Sequence, residues 1–122
     1  MHITSILALA LSATAASATT WWTPANLQCP DAGTITRAEL IAGITGPVGE
    51  LRETSANNLA TKYCGGTRFR GIPLYFVTVK GANLSYAYRK STDEYWYCSA
   101  TNGRHPSGWP NVCADSGTLV SS

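Results

Sequence analysis

The strongest hydrophobic pattern in the chain runs from Ile72 to Ala100. Three β-rich runs, 72–80, 84–89 and 94–100, are separated by Gly81-Ala82-Asn83 and by Lys90-Ser91-Thr92-Asp93, connections of the length that antiparallel hairpins use. The pattern predicts a β-meander. In the first run Leu74 and Phe76 alternate with Tyr75, Val77 and Val79, so both faces are apolar and the strand should be central. Pro73 opens it, where a missing amide donor is tolerated. In the second run Leu84, Tyr86 and Tyr88 share a face opposite Ser85, Ala87 and Arg89; in the third, Tyr95 and Tyr97 oppose Trp96 and Cys98.

Upstream the period changes. Thr36-Arg-Ala-Glu39 has the form of a capping box, with Ile35 placed as the hydrophobic staple residue. Ala38, Leu40, Ile41 and Ile44 then form an apolar stripe that Gly46-Pro47 ends. A helix here needs a partner surface, and the meander is the one large enough. Residues 48–62, with sparse Val48, Leu51 and Leu59, read as a short second helix broken at Gly65-Gly66. Trp21-Trp22 is expected to cover a sheet edge, residues 101–113 to form a glycine- and proline-rich loop, and residues 114–122 a polar tail. The expected architecture is α+β: one N-terminal helix packed on an antiparallel meander.

The first eighteen residues stand apart from this pattern. The apolar run from Ile3 to Leu11 and the small-residue site Ala16-Ser17-Ala18 read as a secretory leader cleaved after Ala18; no segment is apolar enough to span a bilayer as a helix, and no membrane partner is expected. Residues 19–113 then form one domain, too small for burial alone to leave more than a modest stability margin. Cys29, Cys64, Cys98 and Cys113 all lie within it, an even count that behind a leader reads as two disulfides. Three pairings are open; the favoured one joins Cys29 to Cys113, tying the ends, and Cys64 to Cys98. Without a C-x-x-C pair, and with His105 the one histidine after the leader, the spacings do not suggest a metal site, and no cofactor is expected.

Charge divides the chain. Between residues 19 and 61, Arg37 and Arg52 face Asp31, Glu39, Glu50 and Glu53, a balance of −2; between 62 and 104, seven cations face Asp93 and Glu94, a balance of +5. The strand half is the basic half, compatible with an acidic partner such as RNA. Arg68, Arg70, Lys80, Arg89 and Lys90, with Tyr86 and Tyr88 as a stacking platform, are the candidate binding residues. Asn83-Leu-Ser85 is a glycosylation sequon placed in a predicted turn. For acid–base chemistry the sequence offers His105 and, near the third strand, Glu94.

An early cysteine, a helix, Gly71-Ile72-Pro73 opening a strand, a meander, a glycine-rich loop and a terminal cysteine succeed one another over residues 28–113. This order resembles the small guanyl-preferring secreted ribonucleases of fungi, and more closely the ribonuclease-like effectors of plant-pathogenic fungi. The resemblance implies a microbial ribonuclease-like fold. Active members use a strand-borne glutamate, a catalytic histidine, and an arginine with a second histidine around the phosphate. Matched to Phe69-Arg70-Gly71 the glutamate has become Arg70, and matched to Gly71-Ile72-Pro73-Leu74 a histidine has become Leu74. The loop histidine falls at Asn102, with His105 displaced by three residues. The resemblance therefore implies a monomeric secreted virulence effector that has lost catalysis and binds a host RNA or protein, with possible entry into host cells. Two other readings stay open: a working ribonuclease or ribotoxin built from His105, Arg104 and Glu94 or Asp93, and a killer-toxin-like antimicrobial module.

Overall fold

The structure is a computed structural model that describes residues 18–44 and 49–121; the expected leader, save Ala18, and the Gly46-Pro47 helix stop lie outside the described residues. Ten strands and one helix follow in order: β1 (Thr20–Thr23), β2 (Asn26–Cys29), β3 (Gly33–Thr36), α1 (Arg37–Gly43), β4 (Glu50–Glu53), β5 (Leu74–Val79), β6 (Ala82–Arg89), β7 (Glu94–Arg104), β8 (Pro110–Val112), β9 (Ala114–Asp115) and β10 (Val120–Ser121). Two short 3-10 turns, Ala56–Leu59 and Thr67–Phe69, lie between β4 and β5.

The meander is present as β5-β6-β7, antiparallel throughout. Its surroundings overturn the expected α+β, microbial ribonuclease-like fold. Among the described residues the protein is mostly β, 48% strand against 14% helix, with a mixed seven-stranded sheet and a separate three-stranded sheet. The large sheet runs β10-β1-β7-β6-β5-β4, with β8 also paired to β7. It is mixed because the Trp21-Trp22 segment, expected to lie over an edge, enters the sheet as β1 and pairs parallel to β7. Hydrogen bonding draws the other segments expected outside the sheet into strands too. The expected second helix is instead β4, paired to β5, followed by one 3-10 turn. In the expected loop, β7 continues to Arg104 and folds back as β8. The expected polar tail supplies β9 to the small sheet and β10 to the large one.

The helix forms where its local signals place it. Thr36 accepts from the Glu39 amide at 3.2 Å while the Glu39 carboxylate accepts from the Thr36 amide at 2.9 Å, a complete capping box. Among the described residues α1 spans only seven positions, too few to cover a wide sheet. The small sheet β3-β2-β9 completes that layer. Leu27 and Ile35 from it, with Leu40 and Ile44 from the helix segment, pack against Val79, Leu84, Tyr86, Tyr95 and Tyr97. On the opposite face Ala56, Cys64 and Phe69 cover Leu74, Ala87, Trp96 and Cys98. Strand alternation thus gives the large sheet two buried faces.

Cys29–Cys113 and Cys64–Cys98 are the two disulfides, the pairing favoured from the sequence. The first fastens the small sheet to the chain after β8; the second pins the 3-10 layer to β7. Asn102, where the family order would put a histidine, is a buried strut: its carbonyl oxygen accepts from the Asp31 and Ala32 amides at 2.7 Å each, and its amide donates to the Gly81 carbonyl at 3.2 Å.

Candidate binding cleft

The turn between β5 and β6 and the turn between β6 and β7 lie at opposite ends of the meander, and this divides the sequence-predicted site. Lys80 and Gly81 form the first turn, with φ of +52° and +85°, the doubly left-handed geometry of a two-residue hairpin. Because two residues suffice, Ala82 begins β6, and Asn83 sits in the strand opposite Thr78 and Thr101 rather than in a turn. Its side chain is exposed. Lys80 at this end is committed to the helix, 3.2 Å from Glu39 and donating to the Thr34 carbonyl at 3.1 Å.

The other end gathers the cationic residues. The 3-10 turn over Thr67–Phe69 lays Phe69 edge-on against Trp96, with ring centres 5.3 Å apart. Trp22 stacks on the same indole at 4.8 Å, as the parallel β1–β7 register dictates. Arg68 lies over Trp96 at 4.5 Å, and Arg89 donates to the Arg68 carbonyl at 2.7 Å. Glu94, opposite Arg89 in register, accepts from the Thr92 hydroxyl at 2.7 Å and from the Trp22 indole at 3.0 Å. The Thr92 hydrogen bond, then the Trp22 indole and the Arg89 and Arg68 charges, hold its carboxyl below the usual range despite partial desolvation. The Nε of Arg89 and the Nε1 of Trp96 are buried donors without a hydrogen-bond partner.

Beside this cluster a cleft of about 620 Å³ opens between the start of β5 and the end of β6. Gly71, Ile72 and Pro73 form one wall, Arg89, Lys90 and Ser91 the other, and Tyr75 and Tyr88 line it as well. Tyr88 is locked in place, stacked on Tyr95 at 4.4 Å and donating to Asp93 at 2.9 Å. That hydrogen bond, with burial, pushes its phenol up to about 12. Asp93 also accepts from the Thr19 hydroxyl at 2.6 Å.

Of the predicted binding residues, Arg68, Arg89, Lys90 and Tyr88 meet at this end, with exposed Arg70 next to Gly71 of the wall. Tyr86 does not join them: it is fully buried in the core and is not available as a stacking surface. Tyr75, Ile72 and Pro73 were legible as strand residues but not as a wall, because only pairing with β6 places them across from Arg89. Among the described residues Arg52, Lys62 and Lys80 are each within 4.0 Å of a carboxylate, whereas Arg68, Arg70, Arg89 and Lys90 are in no ion pair.

No family matches this chain. The comparison extends to family models, curated proteins and solved structures, and none of the three yields a match.

The acid–base candidates do not converge. Glu94 begins β7 and His105 follows its last residue, so the strand's rise of about 3.3 Å per residue separates them by on the order of 30 Å. His105 lies in an exposed turn, with Nδ1 3.1 Å from the Ser107 hydroxyl. Both Glu94 oxygens hold hydrogen bonds, and a depressed pKa makes that carboxylate a weak base. Among the described residues no cluster of three or more His, Cys, Asp or Glu side chains is placed to hold a metal. What the cleft offers is positive charge beside aromatic and apolar walls, an arrangement that suits binding of a flexible polyanion.

Proposed function

We propose that this protein is a secreted, non-catalytic binding module whose cleft, with Arg68, Arg70, Arg89 and Lys90 around it, takes a single-stranded RNA or a comparable polyanion of a host. The observation that carries the reading is the gathering of four cations without ion pairs beside the cleft, where Arg52, Lys62 and Lys80 are each paired and Arg37 and Arg104, also without an ion pair, lie apart from one another among the described residues. Cations kept together repel one another, and with the Glu94 carboxylate as the acidic group that Arg89 and Arg68 act on, a further anionic ligand stabilises them. Two disulfides are compatible with an oxidising, extracytoplasmic setting, and the leader-like first eighteen residues support secretion. The role as an infection effector rests on the resemblance read along the sequence alone, since the α+β fold that this resemblance implies is not the one found.

Titration of a labelled single-stranded RNA with the purified protein tests the reading by fluorescence anisotropy. Affinity should fall steeply with salt, and Arg68→Ala with Lys90→Ala, both at exposed positions, should flatten the slope of log K against log salt by about 0.7 for each phosphate no longer neutralised. RNA recovered from the mixture should be uncut. Absence of RNA affinity at low salt, or salt-independent capture of a host protein instead, would remove the nucleic-acid reading. A cyclic-phosphate product abolished by His105→Ala would overturn the non-catalytic one.

A further inference from the structure

The hairpin formed by the end of β7 and β8 presents a second surface, remote from the cleft. All residues from Gly103 to Pro110 are exposed, and Trp109 is 76% exposed, whereas Trp96 is 7% exposed and Trp21 and Trp22 are half-buried. The turn that carries Trp109 is tightly bonded. The His105 amide donates to the Trp109 carbonyl and the Gly108 amide to the His105 carbonyl, each at 2.8 Å. Arg104 donates to the Gly108 carbonyl at 2.9 Å, and the Ser107 amide donates to the His105 imidazole at 3.2 Å. The backbone is thus fixed, while the exposed indole stacks on no ring and donates no hydrogen bond among the described residues. Val112, at 74% exposed, adds apolar area on β8, which follows Trp109 directly.

Charge chooses among occupants for this tip. No acidic residue occurs from Tyr95 to Ala114, and Arg104 and His105 stand beside the indole. The nearby carboxylate is that of Asp31, which abuts Gly103 at the base of the hairpin. An exposed, hydrogen-bonded tip with a tryptophan beside an arginine matches an anionic bilayer surface. There an indole sits at headgroup depth with its N–H hydrated, and an arginine meets lipid phosphates. We infer that the β7–β8 hairpin is a docking wedge for an anionic lipid surface, with Trp109 as the inserted side chain and Arg104 as the headgroup contact. This departs from the sequence-based expectation of no membrane partner, which concerned spanning segments; here the contact is peripheral.

The full secreted chain would be mixed with vesicles of phosphatidylcholine alone and of phosphatidylcholine with phosphatidylserine. Co-sedimentation and a blue shift of tryptophan emission are expected with the mixed vesicles only. Trp109→Ala should reduce partitioning by roughly tenfold or more, through loss of its apolar area, and Arg104→Ala by roughly fivefold. Arg68→Ala with Lys90→Ala, in the cleft at the other end of the sheet, should leave the emission shift in place. The proposal is overturned if the wild-type protein stays in solution with both vesicles, which would point Trp109 toward a protein partner. It is equally overturned if Trp109→Ala binds as well as wild type, or if the cleft substitutions rather than Trp109→Ala abolish binding.

Discussion

Glu94 shows how a residue that suggests catalysis can serve structure. Its two oxygens bind the Thr92 hydroxyl of the preceding turn and the Trp22 indole of the neighbouring parallel strand, so the carboxylate helps hold β1 in the sheet. Its pKa is lowered in the folded protein, first by Thr92 and then by Trp22 and the two arginines. A carboxylate with a folded pKa below its unfolded value, ordinarily about 4.3, contributes stability that is present above the unfolded value and lost as pH falls through the folded one. Thermal unfolding followed across acidic pH should therefore show the wild type losing stability below about pH 4.3, and Glu94→Gln losing less over the same interval. Equal acid sensitivity of the two would assign Glu94 no such role. Asn102 carries the same lesson: the position that a family resemblance makes catalytic is filled by a side chain with three hydrogen bonds to backbone groups of other segments.

At the scale of elements, α1 was readable because its signals are local. A hydroxyl and a carboxylate three residues apart satisfy each other's backbone amides whatever surrounds them. Replacing Thr36 by Ala is expected to lower stability by about 1 kcal/mol, within the range of about 0.5–2 for loss of such a cap, measurable as a shift in urea midpoint at constant slope. Several strands outside the meander lacked any comparable signal. Residues 50–53 are exposed or half-buried and show no alternation; they are a strand because the edge of β5 offered free backbone partners. The same holds for the two-residue strands β9 and β10. Their sequences carry turn and tail composition, and their pairing is a property of what lies beside them.

For the whole molecule, the two disulfides bear on the stability of a small domain in different ways. Cys29–Cys113 closes a separation of 84 residues and Cys64–Cys98 one of 34. The chain-entropy relation then assigns roughly 4–5 kcal/mol to the first and about 4 kcal/mol to the second. Urea unfolding of the paired serine variants, Cys29→Ser with Cys113→Ser and Cys64→Ser with Cys98→Ser, should show the first as the more destabilised. The reverse order would mean that the pin between β7 and the layer carrying Phe69 matters more than the length of the closed loop. That second pin also holds the layer from which Arg68 approaches Trp96, so its loss should weaken polyanion binding as well as the fold.

By itself the sequence determined the meander, the capped helix, the count of two disulfides and the basic character of residues 62–104. Each follows from alternation, a three-residue spacing, a count or a sum, and needs no knowledge of distant neighbours. Tertiary structure alone decided the parallel pairing of Trp21 and Trp22 with β7, the second small sheet, the burial of Tyr86, and the separation of Glu94 from His105 along one eleven-residue strand. It also decided which cations act together. Arg68, Arg89 and Lys90 meet beside Gly71 and Tyr75 while Lys80 is held by the helix, because hairpin register sends the two turns of a meander to opposite ends of the sheet.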